Sequence, residues 1–170
     1  INGVGISSNI TNFSESMLIS NDAGTGTLDA ASNNTGLGYE VFDDLTSGDG
    51  NTAVGRKALT ALTTGSNNTA VGINAMLVTT TGSNNTAVGR IALDANTTAS
   101  ENTAIGSGAL TSNTTGARNT AVGEGSLTSN TTADSNSALG RNALNANTTG
   151  HDNTAVGRAA LTANTTAADN

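Results

Sequence analysis

The chain has 170 residues, only 2% of them aromatic, and it contains no Trp, Cys or Pro. Its 13 acidic and 6 basic residues give a net charge of −7, the wrong sign for a protein that wraps phosphate backbones, so no nucleic acid partner is expected. The lack of Cys rules out disulfides and thiolate metal sites, and without a long apolar run we predict no membrane span in this segment.

Residues 1–33 contain two fragments of a pattern that the rest of the chain repeats. Val4-Gly5 and Met17-Leu18-Ile19-Ser20 match parts of the five-residue unit Asn-Thr-Ala-Val-Gly. We therefore predict that 1–33 form irregular leading coils of the structure that 34–170 build. The chain opens on Ile1 and stops at Asn170, the first residue of another unit, so we expect it to be a segment of a longer polypeptide.

The unit recurs every 17 residues through the remainder of the chain, without an insertion. Such columns of equivalent residues are typical of a solenoid, in which successive coils stack along one axis. A helix in each copy is disfavoured by its Thr, Asn, Val and Gly, and disordered chains seldom keep apolar residues in fixed columns. We predict an all-β parallel β-solenoid of about ten coils that forms one continuous rod and is regular over 34–170. The units begin at Asn34, Asn51, Asn68, Asn85, Asn102, Asn119, Asn136 and Asn153.

Each copy is numbered here from its Asn as position one. The fourth position is branched and apolar, and we predict that it faces the interior, with the third position outside because side chains alternate along a strand. The fifth position is Gly, which predicts a corner with positive φ or close backbone approach. The ninth position, usually Leu, predicts a second short strand with an inward side chain. The predicted core is Val54, Leu59, Val71, Val88, Leu93, Ile105, Leu110, Val122, Leu127, Leu139, Leu144, Val156 and Leu161, and the predicted corner glycines are Gly55, Gly72, Gly89, Gly106, Gly123, Gly140 and Gly157.

Asparagine recurs at two positions of the repeat. Stacked Asn side chains at position one, and at position twelve in the last five copies, predict two ladders of amides that bond coil to coil. The variable polar residues near the end of each copy are expected at exposed turns. The position-twelve residues are Asn96, Asn113, Asn130, Asn147 and Asn164.

The thin core predicts self-association. Each coil contains one Val-sized and one Leu-sized side chain, whose burial offsets little of the entropy lost in ordering 17 residues. Contact between copies would add stability, and small residues at position three would allow close approach, giving a predicted homotrimer. The alternative is that Ala simply suits a narrow coil. The predicted interchain face is Ala53, Ala70, Ala87, Ala104, Ala121, Ala138 and Ala155.

The copies Asn-Thr-Ala-Val-Gly-x-x-Ala-Leu at 51–59, 85–93 and 153–161 resemble the head repeats of YadA-like trimeric autotransporter adhesins. The motif of those heads runs Asn-Ser-x-Ala-Ile-Gly-x-x-Ala. The sequence is also similar to repeat regions of bacteriophage tail fibres. The resemblance covers 34–170 and implies a left-handed β-roll, three chains around one axis and a role in reaching or gripping a cell surface.

Residues that carry chemistry are few. His151 lies at a variable turn position, and neither a second His nor a Gly-x-Ser-x-Gly elbow accompanies it, so we predict no catalytic residues and no enzyme. The Gly-x-Gly fragments lack the context of a dinucleotide site, and no cofactor is predicted. The acidic stretch Glu40, Asp43, Asp44 and Asp49 could hold a hard cation, but a solvated charged face is favoured and no metal site is predicted.

These observations lead to two functional hypotheses from different classes. The first is a structural or adhesive segment of a trimeric fibre, extracellular or on a virion surface, with a cell-surface receptor or glycan as candidate partner. The alternative is an ice-binding solenoid that presents Thr from positions two, thirteen and fourteen, although neighbouring positions thirteen and fourteen should point to opposite faces. A polysaccharide-acting solenoid enzyme is weaker, because no carboxylate pair recurs.

Overall fold

The computed structural model describes residues 5–10, 13–20 and 30–170. Its first two strands are β1 (Gly5–Ile10) and β2 (Phe13–Ser20), and the short β3 (Ala31–Ser32) pairs with β2. Eight three-residue strands follow at intervals of 17 residues, and no helix occurs among the described residues. They are β4 (Thr35–Leu37), β5 (Thr52–Val54), β6 (Thr69–Val71), β7 (Thr86–Val88), β8 (Thr103–Ile105), β9 (Thr120–Val122), β10 (Ser137–Leu139) and β11 (Thr154–Val156).

The eight strands form one parallel ladder in sequence order. Each residue pairs with the residue 17 positions later, so that Thr52 lies beside Thr69 and Val54 beside Val71. Seven such pairings connect β4 to β11. The predicted all-β parallel solenoid with a 17-residue period is therefore confirmed, with seven coil-to-coil steps.

The leading residues agree with the prediction only in part. Met17, Leu18 and Ile19 of β2 pair in parallel with Thr35, Gly36 and Leu37 of β4, as the matched fragment predicted. However, β1 pairs with β2 antiparallel, so 5–10 form a hairpin arm and not a coil. Val4 lies outside the described residues. The count of about ten coils stays a prediction.

The corner glycines are confirmed. Gly89 has φ +140°, a region that is closed to other residues, and a Cβ on it would lie 2.5 Å from the carbonyl oxygen of Gly106 in the next coil. The predicted corner glycines all have φ between 121° and 140°. Positive φ and close backbone approach therefore both require glycine here. Gly157 has the same conformation but nothing within 4 Å of its Cβ position, because no further described coil covers it.

The third and fourth positions face the opposite way from our prediction. Ala87 is 0% exposed, whereas its neighbour Val88 is 36% exposed and the equivalent Leu139 is 51% exposed. In a three-residue strand the middle side chain points to one face and the outer two to the other, and the space inside each coil accepts only the methyl group. The residues wrongly assigned to the core are Val54, Val71, Val88, Ile105, Val122, Leu139 and Val156, and those wrongly assigned to an outward interchain face are Ala53, Ala70, Ala87, Ala104, Ala121, Ala138 and Ala155.

The ninth position is inside, but it does not belong to a strand. Residues 55–61 and their equivalents form turns, and Leu59 has φ +52°. A bulky residue with positive φ is strained, yet this Leu is fully buried and its N–H donates to Ala75 O in the next coil. The predicted inward side chains Leu59, Leu93, Leu110, Leu127 and Leu144 are confirmed; Leu161, in the last coil, is 39% exposed.

Both predicted amide ladders occur inside the coil. At position one, Asn51 N–H and Nδ2 donate to Asn34 Oδ1 at 2.8 and 3.0 Å, and the same Nδ2 donates to Gly65 O across the interior. At position twelve, Asn130 donates to Asn113 Oδ1 at 2.9 Å. The second ladder is incomplete, because the buried Asn96 Oδ1 has no partner.

Substituting the corner glycines tests the contact between coils. We expect Gly89→Ala to lower the unfolding free energy by about 3 kcal/mol or more, since both its φ and its backbone neighbour exclude a Cβ. Gly157→Ala is the matched control, with the same φ but open space, and should cost about 1 to 2 kcal/mol. Urea unfolding followed by circular dichroism measures both; equal losses would contradict the close approach.

Candidate interaction surface

The outer face of the sheet consists of two parallel columns of side chains. Position two contributes Thr, or Ser in one copy, and position four contributes Val, Leu or Ile. Neither column contains a charged residue between 34 and 170. Because successive strands of a sheet lie roughly 4.8 Å apart, the face repeats with that spacing along the rod. We call this surface the Thr/Val face.

Much of the Thr/Val face is open to solvent in the single chain. Leu37, Val88, Ile105 and Leu139 are between 36% and 51% exposed. The remaining Val side chains of the column in 51–139 are half-buried by their neighbours above and below. A continuous apolar stripe of this kind is unusual on a solitary soluble chain and typically marks an interaction site.

Two kinds of turn border the Thr/Val face. On the side where each strand ends, the corner glycine is followed by position six, where Arg56, Arg90 and Arg158 are exposed. On the side where each strand begins, positions sixteen and seventeen form a polar turn that contains Asp49, Glu101 and other charged residues. The apolar stripe therefore lies between two borders of mainly charged and polar side chains, with the exposed Ile73 as an apolar exception at position six.

A separate surface presents threonines from positions thirteen and fourteen. Thr114 Oγ1 at position thirteen donates to Thr131 O in the next coil at 3.1 Å, which keeps it half-buried. The adjacent Thr115 at position fourteen points outward, and its hydroxyl makes no described hydrogen bond. The two positions thus differ in direction, as predicted. The exposed column comprises Thr64, Thr81, Thr98, Thr115, Thr132, Thr149 and Thr166.

The titratable groups singled out from the sequence are at the surface. His151 is exposed, and its Nδ1 lies 2.8 Å from Asp152 Oδ2, a contact that raises the pKa of the imidazole. Glu40 forms an ion pair with Lys57 at 2.7 Å, and hydrogen bonding to that ammonium lowers the pKa of the carboxyl. Among the described residues no three His, Cys, Asp or Glu side chains converge as a metal site would require.

Sequence reasoning missed the Thr/Val face because it took invariance of Val as a sign of burial. The available signal was the size of the alternating residues. Ala at position three is the only side chain of the strand small enough for a coil already filled by Asn and Leu from its other walls. A strand of three residues then leaves two columns outside.

Comparison with known proteins gives no further guide. No protein-family model matches the chain, and neither does any curated protein or any solved structure. In the part of the chain that the structure describes, there is no helix with the length and apolar character needed to cross a membrane.

One substitution at two adjacent positions tests the inward and outward assignments. Ala87→Leu should cost about 3 kcal/mol or more of unfolding free energy, because three extra carbon atoms enter a filled interior. Val88→Leu should change it by less than about 0.5 kcal/mol, since Leu37 and Leu139 already occupy equivalent outward sites. Thermal unfolding followed by circular dichroism measures both, and the reverse order of effects would restore the original assignment.

Proposed function

We propose that this chain is a rod segment of a homotrimeric fibre, of phage tail or bacterial surface type, that projects towards or binds a cell surface. The observation that carries the proposal is the uncharged Thr/Val face, which runs the length of 34–170 with some Val, Leu and Ile side chains exposed. In the fibre these columns contact neighbouring copies of the chain. The location is extracellular or on a virion, and the distal partner is a receptor or a glycan.

The regular spacing of the Thr/Val face along the rod supports a second copy of this chain as the partner that covers it. A surface that repeats once per coil is matched at every coil only by a partner with the same repeat. An unrelated globular partner would cover a few coils and leave the remaining Val side chains in water. Another copy of the rod, lying parallel, covers all of them.

The number of chains and the hand of the coil rest on the resemblance to adhesin heads and phage fibres. Three rods around one axis can turn each Thr/Val face towards the others, and rotational symmetry closes the assembly without a free face. Burial of the Val column would add apolar contact to a coil whose own interior is narrow. A left-handed path of the coil belongs to the same proposal.

Light scattering of the purified segment tests the assembly, and we expect three times the mass of one chain. The double variant Val88→Glu with Ile105→Glu should remain folded but become monomeric, because charges would enter a desolvated contact. The double variant Thr98→Glu with Thr115→Glu, in the same two coils but away from the Thr/Val face, is the matched control and should stay trimeric. A stable, folded monomer of the unaltered chain at micromolar concentration would contradict the proposal.

Ice binding is a second candidate, and the same face favours it. Thr and Val have nearly the same shape, so the Thr/Val face offers regularly spaced methyl groups and hydroxyls without charge. A single flat rod suffices for this task, and no partner chain is needed. Thermal hysteresis of a monomeric segment that is lost on Thr103→Lys would support ice binding. Its absence in a trimeric segment would leave the fibre as the better account.

A further inference from the structure

The charged residues that border the Thr/Val face follow a rule in the sign of their charge. Asp49 and Asp134 also accept backbone N–H groups of the preceding coil, a role that serine can fill without a charge. Four strands have a charged residue in the turn before them and another at position six after them. In each case the two charges have opposite signs. No strand between 34 and 156 carries the same sign at both ends. The pairs are Asp49 and Arg56 around β5, Arg118 and Glu124 around β9, Asp134 and Arg141 around β10, and Asp152 and Arg158 around β11.

The strand β9 makes the rule informative. The other three doubly charged strands have an acid before the strand and an arginine after it, whereas β9 has Arg118 before and Glu124 after. Both signs are reversed together. A simple preference for acids on one border and bases on the other would not reverse both ends of the same strand.

Ion pairs within the chain account for the reversed signs of β9 relative to β10, but not for the opposite signs at the two ends of β5 and β11. Arg118 lies 3.6 Å from Asp134, and Arg141 lies 3.3 Å from Glu124, so these exposed pairs run along a border from one coil to the next. They account for the change of sign between β9 and β10 on each border. They do not connect the two ends of one strand, which are held roughly 10 to 15 Å apart by the extended chain between them.

When copies are related by rotation about a common axis parallel to the rods, opposite ends of equivalent strands meet at each contact between two copies. Strands of rotated copies run around the axis in the same sense, so the beginning of a strand in one copy adjoins the end of the same strand in the next. Every charged pair is then opposite in sign. An antiparallel arrangement with aligned strands would instead place the arginine-rich borders against each other, including Arg90, Arg141 and Arg158.

Shifting the copies by one coil weakens the match. A shift in one direction opposes two pairs of like charge, Glu101 with Glu124 and Arg118 with Arg141, and leaves one pair of opposite charge, Asp134 with Arg158. A shift in the other direction opposes Asp134 to Glu124 but keeps pairs of opposite charge, including Glu101 with Arg90 and Asp152 with Arg141. Only the unshifted arrangement gives attraction at all four doubly charged strands with no repulsion. Like-charge contacts disfavour wrong partners more strongly than single exposed pairs stabilise the right one.

We propose that the oppositely charged ends of these strands fix the direction and the register in which copies of this rod associate. The apolar Thr/Val face alone is nearly identical at every coil and would tolerate a slip, as uniform sheet surfaces do. The charged residues at its borders differ from coil to coil, so they distinguish the unshifted arrangement from a slipped one. This inference rests on the proposed assembly of copies through the Thr/Val face.

Charge reversal at β11 tests the proposal. Arg158→Glu places Asp152 and an acid at the two ends, and should weaken association roughly ten-fold at low salt, because the modest effect of one exposed pair recurs at each contact of the ring. It should not destabilise the single rod, since it puts an acid one coil from Arg141. The double variant Asp152→Lys with Arg158→Glu reverses both signs and should restore association. The difference should vanish at high salt.

A matched control changes the net charge equally at a distance from the borders. Ser112→Glu with Ala146→Glu adds the same two negative charges at position eleven, about half a coil from the strand, where both residues are half-buried. This variant should associate like the unaltered chain. Concentration-dependent light scattering compares all four proteins.

Register is read directly by crosslinking, because the chain has no native Cys. Asn67→Cys with Ile73→Cys reports the unshifted arrangement, and a short thiol crosslinker should join its chains. Asn84→Cys with Ser107→Cys and Asn84→Cys with Ile73→Cys report the two one-coil shifts and should not be joined. All of these positions are uncharged, so the proposed pairs stay intact.

The outcomes separate the two proposals. A monomeric unaltered chain would overturn both the fibre and the role of the charges. A trimer that is insensitive to Arg158→Glu, or not rescued by the double reversal, would overturn the role of the charges and leave the fibre standing. Efficient crosslinking in either shifted variant would also overturn it.

Discussion

The Asn side chain at position one is the interaction on which the rest of this structure depends. Its Oδ1 accepts the backbone N–H of the Asn one coil later, at 2.8 to 3.1 Å throughout 34–170. Its Nδ2 reaches across the coil to the carbonyl of position fifteen, at 2.8 to 3.0 Å. One amide therefore ties each coil to its neighbour and one wall of the coil to another. A buried polar group with all its partners present stabilises and specifies the interior, whereas an unpaired one is costly.

The remaining features follow from a coil that is closed by an amide and not by bulky apolar packing. In such a narrow coil the wall opposite the strand lies close to the strand. This explains Ala at positions three and eight and a corner that only Gly can form. The turn after the corner is tight enough to hold Leu59 and its equivalents at positive φ. The burial of Leu and its bond to the next coil offset that strain.

The sequence was sufficient for the features that depend on stacking. A strict 17-residue period fixes which residues lie above one another, and stacked Asn residues have few arrangements other than a ladder. The corner was predictable because invariant Gly has a small set of physical causes. At the leading end, the match of Met17 to Ile19 with the strand of the repeat identified the correct register. Such inferences need only the repeat itself.

What the sequence could not give was the direction of each side chain relative to the coil. Because side chains alternate along a strand, Ala87 and Val88 must point to opposite faces. Alternation does not say which of the two is inside, and the greater hydrophobicity of the larger residue favoured Val88. The answer depends on how much space the amides and Leu93 leave, which is a property of the closed coil. The surface for partners was misplaced by one residue for the same reason, since a shift of one residue exchanges the two faces. The charge rule at the borders became visible only when the outer face was known.

Hydrogen exchange of backbone amides under native conditions tests the central role of the position-one ladder most directly. The account predicts that the N–H groups of Asn68, Asn85, Asn102 and Asn119, each bonded to an Asn side chain, exchange only when the rod unfolds as a whole. The N–H groups of Arg90 and Thr98, which donate no described bond, should exchange rapidly. Exchange of the position-one amides at the rate of Arg90 and Thr98 would show that the ladder does not hold the coils together.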